Sequence, residues 1–395
     1  MRVLTLALHP SIDRVVRLGT LKPGATLDAH LLMTVPAGKG ANTARALSCV
    51  WPKPRQIVSV GWIGEAEKEW YAARLAELNG IRAALCARPG FTRFAYTLLE
   101  ASGRETHIKE RMPPPARADE DRFLRFWRST VRPGDIVALC GSAPAGTSKR
   151  LLREVFAVAS ENRASVCVAD SNGPALAVAG AAELDGLKGN AAEIGAWLGL
   201  GQAFVAGKRA HRAALQKAFA RHGAPRAVLI TLGAGGAVIA APGKMFRAAP
   251  PALPLPLPPP ASADHSPQST QRAQRTEKSP VNENGDSSVT SVVSVSSVVN
   301  SPRWGGGRVA PQSATGCGDA ATAGWLWGIL QGCPLEEALC CAVACGTAKL
   351  ASADPGSLDP RYVARLIEKM KVVAVQSKIK NRKSPTFACR ARNPV

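Results

Sequence analysis

The sequence has no long uninterrupted run of apolar residues. Hydrophobic residues make up 46% of its 395 positions, but no stretch reaches the ~18 consecutive apolar residues that a membrane-spanning helix needs. The apolar run near the start covers only residues 4–8, which is too short for the hydrophobic region of a signal peptide. We therefore expect a chain that neither spans a membrane nor carries a secretory signal.

Metal-binding cysteine motifs are also missing. The ten cysteines include no CxxC pair, and no histidine lies near them at ligand spacing, so a zinc site is not expected. Cys333, Cys340, Cys341 and Cys345 lie in small-residue helical sequence and are most simply buried thiols. Reduced thiols indicate a reducing compartment, and we expect the cytoplasm.

Acidic residues are scarce. The chain has 29 Asp and Glu against 50 Lys and Arg, a net charge of +21. Residues 361–395 hold ten of the basic residues and one acid, and we expect 373–395 to be a basic, disordered tail. Phe387 is the one aromatic residue among the charges of that tail, whereas single-stranded nucleic acids are bound by several stacking aromatics. Weak attraction to polyanions is expected, without a specific nucleic-acid partner.

Residues 252–308 differ in composition from the rest of the chain. Proline dominates 250–260, and Ser, Gln, Asn and charged residues fill 261–291. Such a composition is typical of a disordered insertion. The Ser/Val alternation at 289–299 leaves a strand there as an alternative.

Strands and helices alternate along most of the remaining chain. From residue 135 the pattern is regular, with strands at 135–140, 165–169, 185–188 and 226–231 separated by helical segments. This alternation predicts a mostly parallel sheet with helices on both faces. The segments 11–18, 26–35 and 91–110 are typical of short strands, the last as a hairpin, and predict an accessory β-layer.

A glycine-rich turn leads into a helix at residues 313–324. Gly316 and Gly318 let the backbone expose its N–H groups, and the first N–H groups of a helix have no partner within it. Because the helix dipole is positive there, the turn suits an anion such as a phosphate. Asp319 would repel a phosphate, so it is a candidate base for a hydroxyl proton. An ordinary aspartate N-cap is the alternative.

A second glycine loop lies near the N-terminus. Gly38, Lys39 and Gly40 precede a helix predicted at 41–50, and the lysine makes a second anion site plausible. The loop lacks the GxxxxGK[ST] spacing of a P-loop. Asp13 follows the first strand, predicted at 2–8, and is a candidate because ligands bind at the carboxyl ends of strands in open α/β sheets.

Five of these features resemble, in order and spacing, the PfkB (ribokinase-like) family of sugar kinases. They are Asp13, AGKGANTA at 37–44, Thr92-Arg93, KGNAAE at 188–193 and TGCGDAATAG at 315–324. The segments HPSID at 9–13 and GSAP at 141–144 are similar to the branch that phosphorylates hexose phosphates, which contains 1-phosphofructokinase and tagatose-6-phosphate kinase.

The resemblance implies a ribokinase-like, three-layer α/β/α kinase domain over residues 1–372, with a mostly parallel sheet. It implies a small β-lid from about 11–18, 26–35 and 91–110, through which the chain would form a homodimer. The implied activity is ATP-dependent phosphorylation of a hexose phosphate, with ATP and Mg²⁺. A kinase of an unphosphorylated sugar or nucleoside, and a non-catalytic sugar-phosphate sensor, are the alternatives.

The resemblance also implies a role for each motif residue. Asp319 would be the catalytic base, with an anion hole made by the backbone N–H groups of Gly316, Cys317 and Gly318. The sugar hydroxyls would be held by Asp13, Gly38 and Asn42, and the phosphate already on the substrate by Lys39 and Arg93. The nucleotide site would comprise Lys188, Asn190, Glu193, Thr231, Gly233 and Gly236, with Asn190 and Glu193 ordering Mg²⁺ and Glu193 acting through water.

Simpler roles stay open for three of these residues. Arg93 could be a surface strand residue, Glu193 a solvated helix charge and Asn190 a helix N-cap.

Four positions depart from the family's pattern. His9 replaces the family's Asn, Ala37 replaces Gly, Gly189 replaces Pro, and Cys317 replaces Ala or Ser. None of these changes removes a charge that the chemistry requires.

Overall fold

The computed structural model describes residues 1–251 and 313–375, together with the backbone of residues 386–388. The predicted insertion at 252–308 lies outside the described residues, as do 376–385 and 389–395 of the predicted tail. Within the described part of the chain, no helix is both long enough and apolar enough to cross a membrane.

An eleven-stranded sheet forms the centre of the fold. Seven neighbouring strands are parallel, in agreement with the predicted mostly parallel sheet. In chain order they are β1 (Val3–Ala7), β4 (Ile57–Gly64), β5 (Arg82–Arg88), β8 (Ile136–Gly141), β9 (Val166–Ser171), β10 (Gly186–Asn190) and β11 (Val228–Thr231). The spatial order β11-β10-β9-β8-β1-β4-β5 brings the carboxyl ends of all seven to one edge.

Four antiparallel strands extend the sheet beyond β11 and were not predicted from the sequence. They are β12 (Ala237–Ala241), β13 (Lys244–Ala249), β14 (Lys371–Ala374) and β15 (Thr386–Ala388). Their presence corrects two expectations. The folded chain continues past residue 372, and residues 386–388 of the tail pair with β14 instead of lacking regular structure. The burial of β14 alternates as expected for a strand with one face on the core, since Val372 is buried while Val373 is exposed.

Helices cover both faces of the sheet, which confirms the three-layer α/β/α prediction. Adjacent strand residues point to opposite faces, as Val3 and Leu4 do in β1. One face packs against α1 (Lys39–Val50), α8 (Cys317–Leu330), α9 (Leu335–Ala348) and α10 (Pro360–Lys369). The other packs against α3 (Arg117–Thr130), α4 (Lys149–Glu161), α5 (Gly173–Ala179), α6 (Ala191–Trp197) and α7 (Arg209–Phe219). The remaining helix, α2 (Lys68–Asn79), packs beside β5.

Small residues let α8 and α9 pack closely. A Cβ atom on Gly324 would lie 2.2 Å from the carbonyl oxygen of Cys341, and one on Gly328 would lie 2.8 Å from Ala338 Cα. Both distances are too short for a larger side chain. This close contact fixes α8 over the sheet, with its N-terminus at the carboxyl edge of the strands.

A separate four-stranded sheet forms the predicted lid. Its strands are β2 (Ser11–Leu18), β3 (His30–Ala37), β6 (Phe94–Glu100) and β7 (Glu105–Lys109), in the order β3-β2-β6-β7. The structure therefore forms strands in all three predicted segments, although β3 begins at His30 and not at residue 26.

Candidate active site

A cavity of about 1060 Å³ lies between the lid and the carboxyl edge of the central sheet. It is slightly larger than the range of about 300–1,000 Å³ that is usual for ligand pockets. Every residue to which the sequence analysis assigned a role lines it. These residues are Asp13, Gly38, Lys39, Asn42, Arg93, Lys188, Asn190, Glu193, Thr231, Gly233, Gly236, Gly316, Cys317, Gly318 and Asp319.

Asp319 lies in the first turn of α8 and is buried. The N-cap of this helix is Gly316, so the alternative role of Asp319 as an N-cap is wrong. Its Oδ2 atom instead accepts a hydrogen bond of 2.8 Å from Nδ2 of Asn42, on α1. Burial raises the pKa of Asp319 to about 6, and the positive charge of Lys39 acts against this rise. A carboxyl with such a pKa can accept a proton near neutral pH.

The backbone around Asp319 requires glycine. Gly316 has a φ of 87°, and a Cβ atom there would lie 2.2 Å from the carbonyl oxygen of Pro355. A Cβ on Gly318 would lie 3.1 Å from Nζ of Lys188. Burial raises the pKa of the Cys317 thiol, so this side chain stays neutral. The residues at the start of α8 line the cavity, and Cys317 places no negative charge beside their N–H groups.

Asp170 joins the two lysines of the site and was missed in the sequence analysis. It lies at the end of β9 with 1% of its surface exposed. Lys39 donates to its Oδ1 at 3.0 Å, Lys188 to its Oδ2 at 2.8 Å, and the Thr322 hydroxyl to its Oδ2 at 2.6 Å. Burial alone would raise the pKa of Asp170, but the two lysines more than offset this and hold it below its usual range. Its position directly after the predicted strand 165–169 is the signal that could have found it.

Lys39 lies between the two halves of the cavity. Burial acts to lower its pKa, but Asp170 first, and then Asp319 and Glu193, raise the pKa above its usual value. Lys39 is therefore a permanent cation that is close to both the candidate base and the side chain assigned to the nucleotide site.

Asp13 and Arg93 line the cavity beneath the lid. The Ser11 hydroxyl donates to Oδ1 of Asp13 at 2.7 Å, and burial raises the pKa of this carboxyl. The guanidinium of Arg93 donates to the carbonyls of His9 at 3.0 Å and Pro10 at 3.3 Å. Arg93 is half-buried and precedes β6, so it is not the surface strand residue of the alternative interpretation.

His9 faces the same end of the cavity as a neutral ring. Burial, followed by the charges of Arg93 and Arg88, lowers the pKa of His9 to about 4. Its Nε2 atom is buried and has no hydrogen-bond partner within the part of the chain that the structure describes. At neutral pH this departure therefore replaces the family's Asn with another neutral polar group and adds no charge.

Asn190 and Glu193 form a capping box at the start of α6. The Asn190 side chain accepts from the Glu193 N–H at 2.9 Å, and Glu193 Oε2 accepts from the Asn190 N–H at 2.7 Å. Asn190 is therefore the N-cap that the sequence allowed. Glu193 is held by this contact and is not a freely solvated charge.

The turn after β11 completes this side of the cavity. Thr231 ends the strand, and Gly233 and Gly236 lie in the turn that leads to β12. Gly236 has a φ of 81°, and a Cβ there would lie 2.1 Å from the carbonyl oxygen of Ala248. Only glycine lets this turn approach β13 so closely.

The lid contacts the loop that leads into α8. Glu105 Oε1 accepts from the Ala314 N–H at 3.0 Å, and the Thr315 hydroxyl lies 3.3 Å from Nε2 of His107. Glu105 and His107 belong to β7 and were not predicted as site residues. Lys109, on the same strand, also lines the cavity. The lid is therefore closed against the anion-binding loop.

Comparison with known proteins identifies the family. A family model described as the pfkB family carbohydrate kinases matches residues 11–254, more than half of the chain. This chain belongs to the pfkB family of carbohydrate kinases.

Two curated relatives of the pfkB protein are 1-phosphofructokinases. That of Rhodobacter capsulatus is 31% identical over 262 residues, covering 65% of this chain and 78% of the relative. That of Xanthomonas campestris is 29% identical over 257 residues, covering 64% and 78%. Phosphofructokinase-2 from Escherichia coli, solved in complex with fructose-6-phosphate, has a TM-score of 0.68 at 19% identity and covers 92% of this chain and 97% of that one. This structural likeness confirms the predicted fold.

Asp170→Asn tests the importance of the lysine pair for stability. The substitution removes the charge that the buried Lys188 and the partly buried Lys39 share, so we expect unfolding to become easier by about 3–5 kcal/mol. Asp121→Asn is the matched control, because Asp121 forms an exposed ion pair with Arg150, and the loss of such a solvent-screened pair is expected to change stability little. Urea unfolding followed by circular dichroism measures both. Equal, small changes in the two variants would contradict the proposed importance of Asp170.

Proposed function

We propose that this pfkB protein transfers the γ-phosphoryl group of ATP to a hydroxyl of a hexose phosphate. The observation that supports this proposal most directly is the buried Asp319 carboxyl, which Asn42 holds by a hydrogen bond at the start of the proposed anion-binding helix. The cationic side chains of Lys39, Arg93, Lys109 and Lys188 line the same cavity. The names of the curated relatives support a phosphorylated hexose as the acceptor.

In this proposal Asp319 takes the proton of the acceptor hydroxyl while that oxygen attacks the γ-phosphate. The hydrogen bond from Asn42 orients the carboxylate and occupies one of its oxygens, Oδ2, leaving Oδ1 for the hydroxyl. The backbone N–H groups of Gly316, Cys317 and Gly318 stabilise the negative charge of the phosphoryl group as it moves. The closed lid excludes water, which would otherwise accept the phosphoryl group.

The substrate phosphate needs cations away from Asp319. Arg93 and Lys109 both line the cavity, and Lys109 pairs across the lid with Ala95, two residues after Arg93. We assign the far phosphate to Arg93 and Lys109, and the sugar hydroxyls to Asp13, Asn42 and the backbone at Gly38. The family resemblance placed Lys39 at the far phosphate, and we propose a different role for it. Its ion pair with Asp170 and its closeness to Asp319 favour a place beside the transferred phosphoryl group.

The residues present fit Mg²⁺ bound through water. The described residues contain no cluster of three or more metal-ligating side chains, but Mg²⁺ usually keeps several waters and binds one or two carboxylates together with substrate phosphates. Glu193 lines the cavity, and the backbone of Asn190 holds one of its carboxylate oxygens in place. We assign Glu193 to the waters of the metal, which neutralises phosphate charge. Lys188, Thr231, Gly233 and Gly236 would bind the nucleotide beside it.

The outer face of the lid supports a homodimer. Leu31, Phe91 and Ile108 are 54%, 46% and 52% exposed, and all three lie in the lid region. Exposed apolar surface is typical of interaction sites, and a second copy of this chain packed on the lid would cover these side chains. Sedimentation velocity tests this, and a monomer at every concentration would contradict it.

A coupled assay of ADP formation tests the function. The protein would be mixed with Mg-ATP and a panel containing fructose, fructose 1-phosphate, fructose 6-phosphate and tagatose 6-phosphate. We expect turnover with at least one hexose phosphate and little with fructose, because Arg93 and Lys109 need an anionic partner. Equal rates with fructose and its phosphates would indicate a kinase of simple sugars. Binding of a sugar phosphate without ADP formation would indicate a sensor.

Asp319→Asn separates catalysis from binding. The amide keeps the size of the side chain and its contact with Asn42 but cannot take a proton, so kcat should fall by roughly 10²–10⁴. The dissociation constant of the sugar phosphate, measured by calorimetry, should change little. Near-normal turnover would show that Asp319 is not the base.

Lys39→Met and Lys109→Met form a matched pair that locates the far phosphate. Loss of a charged contact made in both ground and transition states costs about 1.5–3 kcal/mol, which raises KM about 10- to 150-fold. We expect the KM for the sugar phosphate to rise by this factor in Lys109→Met. In Lys39→Met we expect kcat to fall, while the KM for the sugar phosphate stays within about threefold of the wild type. The reverse pattern would place Lys39 at the far phosphate.

A further inference from the structure

Lys349 is a fully buried cation that the proposed chemistry does not use. It follows α9, and its relative exposure is 0%. Its Nζ atom donates to the carbonyl of Ser352 at 2.7 Å and to that of Ser313 at 3.3 Å. Within the described residues its hydrogen bonds go to backbone oxygens, and it takes part in no ion pair. Lys349 does not line the cavity, so its role cannot be direct contact with a substrate.

The two carbonyls belong to the two loops that form the anion-binding turn and its support. Ser313 begins the loop that runs to Gly316 and into α8, and Ser352 begins the loop 352–356. The second loop backs the first, since the Pro355 carbonyl oxygen lies where a Cβ of Gly316 would be. Lys349 therefore joins the anion-binding loop to its supporting loop at the point where both begin.

A second buried cation fixes the far end of the supporting loop. Arg45, which is 2% exposed, forms an ion pair of 2.5 Å with Asp354. Asp354 in turn accepts from the Gly356 N–H at 2.9 Å. Arg45 has a carboxylate partner, as is usual for a buried cation, whereas Lys349 has only neutral carbonyls.

An apolar side chain of similar length would be less costly at position 349. Moving an ammonium group out of water is unfavourable unless nearby groups compensate. Burial lowers the pKa of Lys349, while the carboxylates of Asp354, Glu105 and Asp319 act to raise it. Glu105 belongs to the lid and Asp319 to the site that it covers. The charge of Lys349 is therefore coupled to the reaction centre as well as to the packing.

We propose that Lys349 is a positioning residue, a built-in cation that holds residues 313–316 in the shape that binds the transferred phosphate. It also adds positive potential behind the N–H groups of the anion hole. This inference rests on the proposed phosphoryl transfer and deepens it. Because the ammonium occupies the oxygens of both loops, turnover of the wild type should not depend on an added monovalent cation.

Three variants test the proposal. Lys349→Met keeps the length of the side chain and removes its charge. Lys349→Ala removes the charge and also leaves a cavity where the side chain was. Lys369→Met is the control, because Lys369 is exposed on α10. We expect kcat to fall at least about tenfold in both Lys349 variants, with the sugar-phosphate KM within about threefold of the wild type. Ammonium or methylammonium chloride should restore kcat in Lys349→Ala but not in Lys349→Met, where the methionine fills the hole. Tetramethylammonium chloride at equal ionic strength should restore neither.

Hydrogen exchange gives a readout that does not need activity. Amides of residues 313–316 should exchange faster in both Lys349 variants, with the exchange of β1 unchanged, and ammonium should slow them again in Lys349→Ala. If the Lys349 variants fail to fold, the wild type alone still tests the proposal. Its turnover and the amide exchange of residues 313–316 should be the same in potassium chloride and in tetramethylammonium chloride.

Some results would overturn the proposal. These are unchanged kcat and exchange in Lys349→Met, equal rescue of the Ala and Met variants, or a wild type that needs added potassium. An inactive wild type with the expected exchange pattern would instead contradict the proposed function and leave the role of Lys349 in the loop supported.

Discussion

A carboxylate can serve as a base inside a closed cavity only if burial does not leave it permanently protonated. Asp319 is in this situation, because desolvation raises its pKa toward neutrality while a lysine nearby limits the rise. Lys39 provides that charge and is itself fixed by Asp170, which also binds Lys188. The ion pairs of Asp170 thus connect the strand β9, the N-terminus of α1 and the strand β10 to the protonation of the base.

The sheet order explains why residues far apart in sequence meet at this point. The seven parallel strands all end at one edge, so Asp170, Asn190 and Thr231 follow one another across neighbouring strands. The N-termini of α1 and α8 approach the same edge, and Asn42 on one reaches Asp319 on the other. The lid then closes the cavity through Glu105 and His107, which contact the loop before α8.

Sequence patterns predicted the parts of this arrangement that depend on local chemistry. Glycines before a helix marked the two loops at 38–40 and 316–318, and the βα alternation predicted the sheet and both helix layers. The strands β12 and β13 were missed because they form an antiparallel hairpin and interrupt the βα alternation from which the sheet was predicted. The strand β14 pairs with β13 only after the long connection from Ala249 to Lys371. Asp170 was missed because no motif surrounds it, and its importance comes from two lysines 131 and 18 residues away.

The role of Lys349 was even harder to predict from the sequence than that of Asp170. In the sequence it is one lysine at the end of a helical segment, where a solvated side chain is the ordinary expectation. Only the packing of two loops reveals that it is buried against their carbonyls. Its role, like the difference between Lys39 and Lys109 at the substrate, depends on which charges lie nearby in space. Periodicity and spacing carry no information of that kind.

The pH dependence of kcat/KM for the sugar phosphate tests the central claim most directly. The free enzyme must have Asp319 ionised, so kcat/KM should rise with pH through an apparent pKa of about 6. The phosphate of the substrate also titrates near a pKa of about 6, and Lys39→Met separates the two groups. Removing the lysine raises the pKa of Asp319, so the rise should move to higher pH in the variant, whereas the titration of the substrate cannot move. A rise at the same pH in both enzymes, or a shift to lower pH, would contradict the account.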